Sequence, residues 1–204
     1  ISGTLDIICT HPNTTEADLS ASSGAVNHLT LNHASLIMKM NSSATIGNLT
    51  ITLGEFHAND AGGAGKNLTV SSNVIVTSGT LDLDAASSDG NASIGGTLLI
   101  TAGEVITAGA GSLTVTGATT IGDAGHSSED QATLTCNAGG VSLGSGKTDG
   151  YAIIMLAGGT FAGGIGTHTT GAIKQTVANT KFTFTSATTT INSEYTSDDR
   201  MFEL

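Results

Sequence analysis

An eight-residue pattern of alternating apolar and polar positions recurs three times in the middle of this chain. The first copy reads Leu-Thr-Ile-Thr-Leu-Gly-Glu-Phe from Leu49, and the other copies begin at Val74 and Leu98. The starts at 49, 74 and 98 are 25 and 24 residues apart. A fixed period of this length predicts a solenoid, in which similar units stack along one axis.

Each copy combines strand-like alternation with an invariant glycine. Positions one and three are apolar and position four is threonine, which is the period-two signature of a strand. Position eight is apolar again but has the opposite parity to position three, so a bend at the glycine is needed to bring both inside. The positions that define the repeat, namely one, four and six, are Leu49, Val74, Leu98, Thr52, Thr77, Thr101, Gly54, Gly79 and Gly103.

Less regular copies extend the array toward the C-terminus. We expect them at 134–141 and 154–161, with coil length varying through inserted loops such as the acidic stretch 123–131. Two or three short strands in about 24 residues predict an all-β fold, a right-handed parallel β-helix that is elongated along its axis. The best candidate for a helix is a short one over 15–20.

Regularity divides the chain into three parts. Residues 1–43 are predicted to form an N-terminal cap or the first irregular coils, and 44–165 the regular solenoid. Residues 166–204 are expected to form C-terminal strands that continue into a longer parent chain. The chain begins with Ile1 instead of Met, which favours a processed product or an excerpt.

Composition supports a solenoid over disorder. The 204 residues include 28 glycines, only 11% are charged and 3% are aromatic. A disordered chain of this polarity would lack periodic apolar residues, which this chain has. Narrow coils filled by Val, Ile, Leu and Ala, with glycine at the corners, account for the same composition.

The formal net charge of −11, with only six Lys and Arg, excludes an extended nucleic-acid surface. No apolar run reaches the ~18–20 residues needed to span a bilayer, so we expect no membrane insertion. Cys9 and Cys136 lie far apart in sequence. A disulfide between them stays open, but two buried free thiols are the favoured interpretation.

Metal and catalytic signatures are sparse. Six histidines show no metal-ligand spacing, and solvated loop histidines are the favoured interpretation. Asp82, Asp84 and Asp89 bring enough oxygen atoms together for a calcium candidate, but the EF-hand order is absent and a solvated turn is favoured. Asp82 and Asp84 could also act as paired carboxylates on a polysaccharide, although no basic residue is near them in sequence. We assign no catalytic residue and no cofactor, and the ligand-binding residues stay open.

Two further patterns are interpreted as ordinary solenoid features. Thr-x-Thr pairs could order water on an ice-binding face, but they occur at irregular intervals, so ordinary outward strand positions are favoured. These pairs begin at Thr50, Thr114, Thr133, Thr167 and Thr183. Asn-x-Ser/Thr sequons occur at Asn13, Asn41, Asn48, Asn67 and Asn91, of which Asn48 and Asn67 precede strands and suit turns.

The runs at 113–122, 49–52 and 78–82 resemble the Gly/Thr-rich β-solenoid repeats of phage virion proteins, namely tail fibres, spikes and capsid decorations. They are equally similar to repeats of bacterial surface adhesins, and the resemblance covers about 44–165. It implies a non-enzymatic structural protein, located in a virion or at a cell surface outside the cell. It also implies self-association as a homotrimer, contacts with other virion or surface proteins, and contact with a host glycan. An adhesin or extracellular fibre module is the alternative, and a polysaccharide lyase or hydrolase is the second alternative.

Overall fold

The computed structural model describes residues 5–10, 16–19, 26–58, 66–83, 90–107, 111–125, 131–147, 150–176, 179–183, 185, 188–191 and 202–203. Within these residues the protein is all-β, with no helix, and every strand pairing is parallel. Strands that pair with one another are separated by about one coil of sequence. The predicted β-solenoid is therefore confirmed.

Each coil has three sides. Strand β4 (Ala44–His57) shows this directly, because its residues 44–46, 49–51 and 55–57 pair with three different strands of the next coil. The chain thus bends twice within one strand and contributes one segment to each of three parallel ladders, which we call sheets 1, 2 and 3.

The strands of each sheet follow one another in chain order. Sheet 1 contains residues 44–46 of β4, β5 (Asn67–Val70), β8 (Asn91–Ile94), β11 (Leu113–Val115), β14 (Val141–Leu143), β17 (Thr167–Thr170) and β20 (Thr188–Ile191). Sheet 2 contains β1 (Leu5–Cys9), residues 28–31 of β3 (Val26–Met40), 49–51 of β4, β6 (Val74–Val76), β9 (Leu98–Ile100), β12 (Thr119–Ile121), β15 (Ile153–Met155), β18 (Ile173–Gln175) and β21 (Phe202–Glu203). Sheet 3 contains β2 (Glu16–Leu19), residues 37–40 of β3, 55–57 of β4, β7 (Thr80–Asp82), β10 (Glu104–Thr107), β13 (Ala132–Cys136), β16 (Gly159–Ala162) and β19 (Lys181–Thr183).

The core is a set of in-register apolar columns that run along the axis. In sheet 2, Leu29, Leu49, Val74 and Leu98 are successive partners, and all four are fully buried. Burying one such side chain contributes roughly 1.5–3 kcal/mol relative to leaving it exposed. Most coils add an apolar member to each column, although the next member of this one is the polar Thr119, which is also fully buried.

The repeat glycines form the corner between sheets 2 and 3. A Cβ at Gly79 would lie 2.5 Å from the carbonyl oxygen of Gly54, and one at Gly103 would lie 2.4 Å from that of Gly79. Gly54 additionally has φ of +92°, in the left-handed region that favours glycine. The corner therefore needs glycine chiefly because the coils approach one another closely. Thr77 and Thr101 follow their strands at this corner, and their amides donate to Ile51 and Val76 of the preceding coil.

Three expectations about element positions are wrong. The stretch 134–141 runs from sheet 3 into sheet 1, whereas the three regular copies run from sheet 2 into sheet 3. The copy placed at 154–161 is shifted by one residue, since Ile153 takes the inward position. Residues 16–19 form a strand against 37–40 instead of a helix, because pairing with the next coil overrides a weak local preference. Of the acidic stretch 123–131, the structure describes 123–125 and 131, between β12 and β13.

Candidate functional site

The outward positions differ in chemistry from one sheet to the next. Alternate residues of a strand point to opposite faces, so each sheet presents two outward ranks along the axis. Sheet 1 presents hydroxyl and amide groups, sheet 2 presents threonine with aliphatic side chains, and sheet 3 presents charges in its first coils.

The charged surface of the first coils of sheet 3 comprises Glu16, Asp18, Lys39, Glu55, His57, Asp82 and Glu104, which we call the charged patch. Lys39, His57 and Asp82 are successive register partners in one outward rank. Lys39 Nζ lies 2.9 Å from Glu16 Oε1, and His57 Nε2 lies 2.7 Å from Glu55 Oε2. The fold thus places Lys39 and His57 in the same rank as Asp82, although neither residue is near Asp82 in sequence.

The carboxylates of the charged patch contact neighbouring side chains. Glu104 Oε1 accepts a hydrogen bond of 2.8 Å from Thr135 Oγ1 in the next coil. Beyond Glu104 its rank continues with the uncharged Thr133 and Thr160 and then with Lys181. The charged patch therefore lies in the N-terminal coils of sheet 3, and Lys181 is a separate charge near the C-terminal end of that sheet.

The calcium candidate is only partly within the described residues. Asp82 ends β7 on sheet 3, next to His57 in the ladder. Asp84 and Asp89 lie outside the described residues. Within the described part of the chain, no group of three or more His, Cys, Asp or Glu is arranged to hold a metal ion. The favoured interpretation of a solvated turn, and calcium binding as its alternative, both stay predictions from sequence.

Sheet 1 carries an outward surface, which we call the hydroxyl face, with a serine or threonine in every coil. Its first rank consists of successive register partners and is unbroken over seven strands. The rank is Thr45, Thr69, Ser93, Thr114, Ser142, Thr169 and Thr190. The second rank, two residues earlier in each strand, is Ser43, Asn67, Asn91, Ser112, Gly140, Thr167 and Thr188. None of these 14 positions is charged or aromatic.

Side-chain hydrogen bonds join successive coils along the second rank. Asn67 Oδ1 accepts from Asn91 Nδ2 at 3.3 Å, while Asn91 Oδ1 accepts from the backbone amide and hydroxyl of Ser112 at 3.0 and 2.9 Å. The backbone amide of Asn67 donates to Ser43 Oγ at 3.0 Å. These bonds hold the second rank in place.

A second ladder of the same kind forms the corner between sheets 1 and 2. Asn48 Oδ1 accepts from the Asn73 amide at 3.3 Å, and Asn73 Oδ1 accepts from the amide and hydroxyl of Thr97, both at 2.9 Å. Asn48 therefore has a role at a corner, as do the sequon residues Asn67 and Asn91 at the start of their strands. The sequence pattern identifies Asn48, Asn67 and Asn91 as sequon residues, but it indicates neither the role of Asn73 nor the hydrogen bonds between coils.

The cysteines are both free, as the favoured interpretation of two buried thiols predicts, but only Cys136 is buried. Cys136 lies in the core of β13, where burial raises the pKa of its thiol to about 12 and the Thr107 side chain partly opposes the shift. Cys9 is only half-buried, and desolvation raises the pKa of its thiol as well. Neither thiol is placed as an activated nucleophile, since that requires a lowered pKa.

One histidine belongs to the core, contrary to the expectation of solvated loop histidines. His168 in β17 is 1% exposed, and its ring packs edge-on against Phe161 with centroids 5.9 Å apart. Its Nδ1 accepts from the Val141 amide at 3.3 Å, so Nε2 carries the hydrogen that it donates to the carbonyl oxygen of Gly163. Both ring nitrogens are satisfied within the protein.

Comparisons of the chain with protein-family models, curated proteins and solved structures give no match. In the described residues, no helix is present that could cross a membrane. The functional interpretation therefore depends on the fold and on its outer surfaces.

Proposed function

We propose that the protein is a non-enzymatic structural or surface protein, most concretely a phage virion component such as a fibre, a spike or a capsid decoration. The observation that carries this proposal is the continuity of all three ladders, in which each coil pairs with the next on every side. Such a stack is a stiff rod whose outward side chains can vary without disturbing its core.

The dimensions of the rod suit a spacer or display element. Seven successive strands in sheet 1, at ~4.8 Å per strand, give a stack roughly 30 Å long. The inward columns and the glycine corner stabilise the fold, whereas the outer ranks can contact a partner protein or a host glycan. We expect the protein to self-associate as a homotrimer, as its resemblance to phage fibre repeats implies.

A bacterial surface adhesin or extracellular fibre module is the second candidate. The observation that favours it is the uncharged hydroxyl face, which presents donors and acceptors over seven coils without a charge that would select against neutral cell-surface polymers. Both candidates require the same rod. They differ in whether the protein is found in a virion or at a bacterial surface.

A polysaccharide lyase or hydrolase is the third candidate, and the charged patch favours it. Lys39 and His57 supply basic groups in the same rank as Asp82. Against it, the carboxylates of Glu16, Glu55 and Glu104 each contact a neighbouring side chain. An enzyme would lose polysaccharide cleavage in Asp82→Ala or Asp84→Ala while a Thr50→Ala control on sheet 2 kept it.

The test is quantitative mass spectrometry of purified particles, cell envelopes and free secreted protein from the source. A virion component is expected in the particle at a fixed copy number relative to a major particle protein. Peptides confined to the envelope would transfer the assignment to an adhesin. Soluble, unassembled protein that cleaves polysaccharide would contradict the structural proposal.

A further inference from the structure

The hydroxyl face combines an unbroken row of hydroxyl groups, the first rank, with a parallel second rank of Ser, Asn, Gly and Thr at regular spacing. Along the axis, register partners such as Thr69 and Ser93 repeat at the strand spacing of ~4.8 Å. Along a strand, outward neighbours such as Thr167 and Thr169 are two residues apart, which is roughly 6.7 Å. None of the pairings between the seven strands contains a register shift.

The Thr-x-Thr pairs in the sequence do not indicate the hydroxyl rank of sheet 1. Thr50 and Thr133 begin Thr-x-Thr pairs that lie on sheets 2 and 3, and only the pair at Thr167 has both members on sheet 1. Most coils contribute to the first rank a single threonine or serine whose outward neighbour is Asn or Ser. The strand register aligns these single residues, although their spacing in sequence varies.

We propose that the hydroxyl face binds ordered water and thereby adsorbs to ice. A threonine presents one donor and two acceptor sites beside a methyl group. The hydroxyls anchor water molecules at fixed positions, and the five threonines of the first rank add methyl groups that keep the surface between them apolar. The repeat along the axis is close to the oxygen repeat of the ice lattice, so water bound there can become continuous with a crystal.

Preorganisation strengthens this assignment. The oxygens of Asn67 and Asn91 are held by bonds between coils, and the first rank projects from a parallel sheet whose inward side chains are buried in every strand before β20. Fixed donors and acceptors lose little entropy when they bind a rigid partner.

The outer surfaces of the other two sheets do not fit an ice lattice. Sheet 3 carries the charged patch, and charges hold their own hydration shells. Sheet 2 interrupts its threonines with Ile75, Leu99, Ile154 and Lys174, so its outward rank alternates between hydroxyl, aliphatic and charged groups. The face on sheet 1 is the one that combines neutrality with an unbroken hydroxyl rank.

The experiment measures the partition of the full chain into slowly growing ice, together with the inhibition of ice recrystallisation. Wild type is expected to enter the ice and to keep the grains small. Thr114→Glu places a charge in the middle of the hydroxyl face, and we expect loss of both effects. Thr120→Glu is the matched control, because Thr120 belongs to the same coil, is also half-buried and lies on sheet 2.

Circular dichroism and the melting midpoint establish that each variant is folded. If Thr114→Glu melts early, Thr69→Glu repeats the test at an exposed position of the same rank. Exclusion of folded wild type from ice would overturn the proposal. So would an equal loss in Thr120→Glu, or binding of a neutral glycan by the hydroxyl face with no partition into ice.

Discussion

The hydroxyl face and the charged patch lie on two sheets of the same coils, yet they share almost no outward chemistry. Beneath both surfaces the inward residues are alike: Leu68 lies under sheet 1 and Leu81 under sheet 3, and both are fully buried. On sheet 1 side-chain hydrogen bonds run from coil to coil, as between Asn67 and Asn91. On sheet 3, His57 and Glu55 pair within one strand, whereas Glu104 accepts from Thr135 of the next coil. The interior therefore determines the fold, and each outer face is free to take its own chemistry.

The largest expected effect concerns the interior of sheet 3. At pH 8, iodoacetamide should label Cys136 about a thousandfold more slowly in the native protein than in urea, because a pKa of about 12 instead of 9.0 leaves little thiolate. Mass spectrometry of labelled peptides measures the rate, with Cys9 as the internal control. Equal rates at the two cysteines would show that the core of sheet 3 is open to water.

The same thiol predicts a pH dependence of stability. Its pKa is raised in the folded state, so the unfolded chain releases the proton first. The free energy of unfolding should therefore fall as the pH rises from about 9 toward 12, and Cys136→Ala should show a smaller fall. Urea denaturation across this range measures the difference between the two proteins.

The next largest effect tests whether the inward residues of sheets 1 and 3 contribute equally to the stability of the core. Leu68→Ala and Leu81→Ala should each lower the free energy of unfolding by about 2–5 kcal/mol, because both leave a cavity in a column that cannot close. Urea denaturation measures the cost, with the outward Thr69→Ala as the control. A cost below ~1 kcal/mol at either leucine would mean that its sheet is not part of the continuous core.

A smaller loss in the free energy of unfolding is expected when the hydrogen bonds on the outer surface of sheet 1 are removed. Asn91→Ala removes the acceptor of Ser112 and the donor to Asn67, and we expect a loss of about 1–3 kcal/mol. Asn41→Ala, at an exposed turn, is the control and should change the stability by less than ~0.5 kcal/mol. Similar melting curves for these two variants would indicate that the bonds along sheet 1 do not stabilise the stack.

The smallest effect is expected in the charged patch. Lys39→Met breaks the pair with Glu16, whose side chain is 59% exposed, so the loss should stay within ~0–1 kcal/mol and shrink further in high salt. Chemical denaturation at low and high ionic strength measures both quantities. A larger loss that salt does not reduce would show that the patch contributes to folding.

Much of the fold could be predicted from the sequence because the repeat is a local signal. Leu49, Val74 and Leu98 repeat at a fixed interval, and the structure aligns them in one column of sheet 2. Gly79 and Gly103 were placed at a corner by parity alone. The reason for glycine there, a carbonyl oxygen of the coil below, is a contact between residues about 24 positions apart and has no local signature.

The outer surfaces were much harder to predict, because they depend on register between coils of unequal length. Thr114 aligns with Ser93 across 21 residues and with Ser142 across 28. A fixed period therefore cannot align these residues, so the hydroxyl rank was missed and the copy at 134–141 was misplaced. His57 and Asp82 are likewise register partners on sheet 3, a relation that their separation in sequence does not indicate.

The most direct test of this account is disulfide trapping of the register on sheet 1, in a chain with Cys9→Ser and Cys136→Ala. Thr69→Cys and Ser93→Cys occupy adjacent partners, whose Cα separation of ~4.8 Å is within the range that a disulfide spans. Thr69→Cys with Thr114→Cys is the control, since these residues are two strands apart and too distant to bridge. We predict efficient oxidation of the first pair and none of the second. Cross-linking of the second pair, or failure of the first in the folded protein, would contradict the aligned ranks on which the account depends.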